Sequence, residues 1–100
     1  MVERRVTIGW PEGLHARPAS IFVRAATATG VPVTVARAGG APVNAASMLA
    51  VLSLGAQGGE EIVLTSPAAG SATDAAVADE ALERLAKLVS EGLEELPETV

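Results

Sequence analysis

Val31-Pro32-Val33-Thr34-Val35-Ala36-Arg37-Ala38-Gly39-Gly40-Ala41-Pro42-Val43 decides what kind of sheet this chain builds. Val31, Val33 and Val35 alternate with other residues at the two-residue period of a half-buried strand. Gly39-Gly40 can supply the positive φ angles of a tight turn, and a short strand near Ala41 to Val43 follows, so the segment reads as a hairpin. A hairpin joins antiparallel neighbours, whereas parallel strands need a crossover of about a dozen residues or more. Toward the N-terminus, Val2, Val6 and Ile8 share one face and Arg5 and Thr7 the other, giving a strand over Val2 to Ile8 that Gly9 to Gly13, with Pro11, breaks. Between the two strands, Ala19, Phe22, Val23 and Ala26 repeat at i, i+3, i+4, i+7 within a helix over Ala16 to Ala28, and Gly30 ends it.

Toward the C-terminus, Ser47 to Leu54 is apolar, too short to be a helix on its own, and bounded by a capping residue and Gly55. It reads as a short surface helix. Gly58-Gly59 leads into a fourth strand over Glu61 to Ser66, where Ile62 and Leu64 share a face, and Pro67 to Gly70 is a loop. The last helix begins at Ser71 or Thr73, with Ser71 and Asp74 in capping-box spacing. Its packing stripe is Ala78, Ala81, Leu82, Leu85, Leu88 and Val89, and Gly92 closes it. Glu80 and Arg84 form a favourable i,i+4 pair on its solvated side. The order is βαββαβα. With hairpin-like connections this makes an antiparallel sheet covered on one face by helices, an α+β two-layer domain.

Hydrophobic residues make up 49% of the 100, yet only Trp10 and Phe22 are aromatic, so the core is aliphatic. A chain of this length buries roughly two-thirds of its unfolded surface and folds without staples. It has no cysteine, which excludes disulfides and thiolate metal sites and accords with a reducing compartment. A net charge of −5 with no Lys/Arg cluster argues against nucleic acid as a partner. The apolar runs fall far short of the ~20 residues that span a bilayer. The expectation is a soluble, cytoplasmic domain over residues 1–92, a short acidic tail over 93–100, and proteins as partners.

The stretch that carries chemistry is Gly13-Leu14-His15-Ala16-Arg17-Pro18-Ala19-Ser20, with the only histidine of the chain. His15 falls at the N-cap of the first helix, beside free backbone N–H groups and the positive end of the dipole. That position favours an anion, and Arg17 adds a charged fork able to grip phosphoryl oxygens. Pro18 suits a first turn, where its missing donor costs little. A lone histidine is most often a satisfied surface or core residue, and one histidine without cysteine is too few ligands for zinc. No Gly-rich nucleotide loop or cofactor fingerprint is present, so no cofactor is expected.

Gly13-Leu14-His15-Ala16-Arg17-Pro18-Ala19 resembles the phosphorylation-site motif of HPr, the histidine-containing phosphocarrier family of the phosphoenolpyruvate-dependent sugar phosphotransferase system. Val43-Asn44-Ala45-Ala46-Ser47-Met48-Leu49-Ala50-Val51-Leu52-Ser53-Leu54-Gly55 is similar to the family's second motif, a regulatory serine followed by an exposed apolar helix. The resemblance runs from about Val2 to Val89. It implies an open-faced β-sandwich of four antiparallel strands and three helices. It also implies a stoichiometric carrier, not a self-sufficient enzyme. His15 would accept a phosphoryl group through Nδ1 from enzyme I, charged by phosphoenolpyruvate, and pass it to enzyme IIA domains of sugar permeases. Arg17 is then the cation beside the phosphate. Met48, Leu49 and Leu52, with Ala16 and Ser20, are the partner-docking residues of an expected monomer. Ser47 matches the regulatory serine, which would add a serine kinase and regulatory proteins as partners. Read from the residues alone, Ser47 needs no role beyond an N-cap worth about 1 kcal/mol. The chain departs from the family pattern at Glu12, where small polar residues are common, in one extra residue between His15 and Ser47, and in a longer C-terminus. The alternative function is a regulatory binding module acting through Ser47 and the apolar helix. Related regulators that have lost carrier activity lack the histidine.

Overall fold

Strand β1, Val2–Thr7, alternates exposed Glu3, Arg5 and Thr7 with Val2, Arg4 and buried Val6. In the computed structural model, which describes residues 2–67 and 72–92, it is followed by helix α1 (Ala16–Ala28), strands β2 (Thr34–Arg37) and β3 (Val43–Asn44), helix α2 (Met48–Leu54), strand β4 (Glu61–Ser66) and helix α3 (Ala72–Glu91). The strands form one sheet in the order β1-β4-β2-β3, with every pairing antiparallel. In the β1–β4 ladder Val6 faces Ile62, and in the β2–β4 ladder Val35 faces Leu64. These four side chains point to the helical layer and join the core, while Glu3, Arg5, Thr7 and Glu61 face solvent. The fold is the open-faced α+β sandwich.

The core is aliphatic apart from Phe22 and Trp10, with Leu14, Val51, Leu82, Leu85, Leu88 and Val89 wholly buried around them. Each fully buried Leu or Val contributes about 1.5–3 kcal/mol relative to an exposed one. All six residues of the α3 stripe are buried, and α3 packs on β1 and β4. Gly92 closes α3 with φ +62, and the Glu80–Arg84 pair forms at 3.5 Å. Ser71, the side chain of Asp74, the loop over 68–70 and the tail after Gly92 lie outside the described residues.

Three strand boundaries and one helix face differ from the sequence reading. Strand β1 ends at Thr7; Ile8 leaves the ladder but is held by its N–H donating to Glu60 O at 2.9 Å. Strand β2 begins at Thr34, not near Val31, because Pro32 has no N–H to place in a ladder. Its carbonyl instead accepts the hydroxyl of buried Ser66 at 2.6 Å. Strand β3 is Val43–Asn44 instead of Ala41 to Val43, since Pro42 again lacks a donor; the chain then turns as the Asn44 side chain accepts the Ala46 N–H at 2.9 Å. The turn between them carries Gly39 at φ +79, as the hairpin requires. Helix α1 buries a wider stripe than Ala19, Phe22 and Ala26: Ile21 and Ala25 are buried too, and Val23 is only half-buried. The cause is that α1 packs against both α2 and α3.

Candidate functional site

The loop between β1 and α1 is held by backbone bonds on both sides. Gly9 N–H donates to Val89 O at 2.8 Å, Gly59 N–H to Ile8 O at 2.9 Å, Gly13 N–H to Trp10 O at 2.9 Å and Leu14 N–H to Ala56 O at 2.9 Å. Gly13 sits at φ +71, and a Cβ there would lie 2.3 Å from Ala56 O, so glycine is needed both for its conformation and for the close approach. Leu14 is wholly buried and anchors the loop from inside. The next residue, His15, is thereby turned outward: its side chain is exposed, and its backbone is extended (φ −132, ψ 155) at the N-cap of α1. The imidazole makes no capping hydrogen bond to the helix.

Ala16 opens α1 with φ +53, a left-handed conformation that costs an ordinary residue on the order of 1–2 kcal/mol and clusters at functional sites. Nothing in the sequence signals it, since alanine has no preference for that region. Arg17 is exposed in the first turn, Pro18 is buried, and half-buried Ser20 accepts the Arg24 guanidinium at 3.4 Å through Oγ. Trp10, Glu12, Arg17, Pro18, Ile21 and Gly92 line an open recess of about 210 Å³. Trp10, Ile21 and Gly92 are the residues that sequence reasoning missed here. A tryptophan in the loop just ahead of the histidine motif was the one available signal for the recess.

The second motif is tied to the first through backbone. Ser47, half-buried, caps α2, and its Oγ accepts the Ala50 N–H at 3.3 Å. Gly55 ends α2 in the left-handed region (φ 66, ψ 23), and the following Ala56 supplies the carbonyl that receives Leu14 N–H. Helix α2 of seven residues is about 10 Å long, so its whole length lies near the His15 loop. On it Val51 is buried, Leu52 half-buried and Met48 exposed, while Leu49 is 80% exposed, much the most exposed large apolar residue among those described. Of the docking residues named from sequence, Leu52 therefore divides its surface between core and solvent.

A second recess, of about 330 Å³, lies at Arg37, Ala38, Gly39, Gly40 and Glu60. Its cation is committed: Arg37 Nε and Nη2 donate to the two Glu60 carboxylate oxygens at 2.7 and 2.6 Å. That bidentate bond and the opposite charge hold the guanidinium above its ordinary pKa. Among the described residues, no three His, Cys, Asp or Glu side chains come together as a metal-holding group, and no helix is long and apolar enough to cross a membrane.

A four-stranded open sandwich that turns one histidine outward at a helix N-cap, next to an arginine and an exposed apolar helix, defines a small histidine-presenting class of protein. The family described as the PTS HPr component phosphorylation site matches residues 2–91. The phosphocarrier protein HPr of Streptomyces coelicolor is 78% identical over 100 residues, covering all of both chains. The crystal structure of a phosphocarrier protein HPr from Bacillus anthracis superposes with a TM-score of 0.75 at 36% identity, covering 88% of this chain and 95% of that one. Crh of Bacillus subtilis, solved as a domain-swapped dimer, follows at a TM-score of 0.64 and 34% identity, covering 93% of this chain and 98% of its own. The chain belongs to the HPr phosphocarrier family of the phosphotransferase system.

Proposed function

We propose that this chain carries a phosphoryl group on His15, accepting it from phospho-enzyme I and handing it to enzyme IIA domains of sugar permeases. The observation that supports this most is the exposed imidazole of His15 at the N-cap of α1, not engaged in capping, with Arg17 in the same first turn. In the transfer, the lone pair of Nδ1 forms the N–P bond while the bond from phosphorus to the donor breaks, its electron pair staying with the donor. Passage to the acceptor runs the same exchange in reverse. The helix N-terminus favours the added negative charge by about 0.3–1 kcal/mol, and a guanidinium offers two parallel donors to the phosphoryl oxygens. The histidine is a nucleophile that forms a covalent intermediate; the partners supply the rest of the catalysis.

Met48, Leu49 and Leu52, flanked by Ala16 and Ser20, form the docking face for both partners. Leu49, exposed on the helix that leads into Ala56, the residue whose carbonyl is bonded to the His15 loop, places apolar surface beside the reacting group. Ser47 has a second role as the point of control by a serine kinase, since a phosphate there adds negative charge next to that face. The carrier acts as a cytoplasmic monomer.

Incubation with enzyme I and phosphoenolpyruvate, followed by intact mass, tests the assignment. One phosphate should be added, and acid should remove it, as expected for a phosphorus–nitrogen bond. An acid-stable addition, or none, refutes the carrier reading.

A further inference from the structure

We propose that Glu12 tunes phosphoryl transfer by destabilising the phosphorylated form of His15, which makes this chain a poorer acceptor and a better donor. The inference rests on His15 being the phosphoryl acceptor. Glu12 is exposed, three residues ahead of His15, in a loop whose backbone is fixed between the two by the Gly13–Trp10 and Leu14–Ala56 bonds. The carboxylate and the imidazole therefore project from one rigid segment. Glu12 and Arg17 also line the same recess, and among its described lining residues they are the only charged ones.

Three residues of backbone span at most ~10 Å, comparable with the ~8 Å Debye length at physiological ionic strength, so the Glu12 carboxylate and a phosphoryl group on His15 act on one another through incomplete screening. Phosphorylation brings up to two negative charges to His15. Glu12 then opposes the modified state in two ways of the same sign. Its carboxylate repels the phosphoryl group directly, and its attraction for the Arg17 guanidinium competes with that of the phosphoryl oxygens. Before transfer neither cost exists, because the imidazole carries no negative charge. The difference between the two states is what sets the transfer equilibrium. For a carboxylate and a phosphoryl dianion ~10 Å apart at the protein surface, the expected effect at low ionic strength is on the order of tenfold in that equilibrium.

The test is an equilibrium, so that docking defects do not enter. Enzyme I in catalytic amount is added to the full chain with phosphoenolpyruvate and pyruvate at fixed ratios, and the phosphorylated fraction at the end point is read by intact mass. Enzyme I alters only the rate of approach. Glu12→Gln keeps the shape of the side chain and should melt with the wild type. It should raise the equilibrium constant for phosphorylation on the order of tenfold at low ionic strength. The gap should close several-fold in 1 M salt, where the Debye length falls to ~3 Å. A wild-type constant for Glu12→Gln at low salt, or a rise of equal size at low and high salt, overturns the role of Glu12 while normal labelling of the wild type leaves His15 as the acceptor. Labelling of His15→Ala, or none of the wild type, overturns both.

Discussion

Gly13→Ala should destabilise the fold well beyond the usual cost of filling a glycine position. Gly13 has φ +71, and an added Cβ would lie 2.3 Å from Ala56 O and 2.6 Å from Gln57 Cα. Both neighbours are backbone, so no side-chain rotation relieves the overlap. The left-handed conformation costs an alanine on the order of 1–2 kcal/mol. Separating the loop from Ala56 also weakens the 2.9 Å bond from Leu14 N–H, worth about 1 kcal/mol. The sum is about 2–3 kcal/mol, which for a domain of this length lowers Tm on the order of 10–20 °C. Gly39→Ala isolates the conformational part: φ is +79, but nothing lies within 4 Å of the added Cβ, so the cost should stay near 1–2 kcal/mol. Urea unfolding can be followed by the fluorescence of Trp10, the one tryptophan, which is buried. The Gly13 variant should also be phosphorylated more slowly, because the Leu14–Ala56 bond sets where His15 projects. Equal stability losses at Gly13 and Gly39 would refute the reasoning.

His15→Ala should abolish labelling by enzyme I and change stability by no more than about 0.5 kcal/mol, since the exposed imidazole caps nothing; a large shift in the urea midpoint would show a structural role. Arg17→Lys should slow transfer on the order of tenfold in stopped-flow phosphorylation, because an ammonium cannot reproduce a bidentate grip. Wild-type kinetics would remove Arg17 from the phosphate's surroundings. Ser47→Ala should lose about 1 kcal/mol in thermal melts, through the Ala50 N–H left without its cap at 3.3 Å, yet bind enzyme I as before. Ser47→Asp should keep the cap and weaken enzyme I binding in titration calorimetry, the charge lying beside the exposed apolar face; undiminished affinity would reduce Ser47 to a cap.

The elements of the candidate site were legible where they depend on neighbours in sequence. His15 at the N-cap, Ser47 as the cap of α2 and Gly55 in the left-handed region all follow from short-range rules about helix ends, which no tertiary contact had to supply. The recess was not legible, because Trp10, Arg17 and Gly92 meet only when the end of α3 returns against the first loop. The left-handed Ala16 was hidden for a related reason. It is imposed by the fixed loop before it and the packed helix after it, and alanine itself has no tendency toward it.

By itself the sequence determined the class of fold and the order of its elements. Alternation in Val2 to Ile8 and Glu61 to Ser66, the apolar stripe of α3 and the glycines that end helices record which face of each element leaves water, and that is a local property. The tertiary structure alone decided which elements meet. The strand order β1-β4-β2-β3 puts the first strand beside the last, and Arg4 of β1 forms its ion pair with Asp79 of α3 across 75 residues. It also shortened β3 to Val43–Asn44 and widened the buried face of α1 to Ile21 and Ala25. A periodic pattern states that a face must be covered but does not name the surface that covers it. That choice belongs to packing of the whole chain, where burial of all the faces together decides.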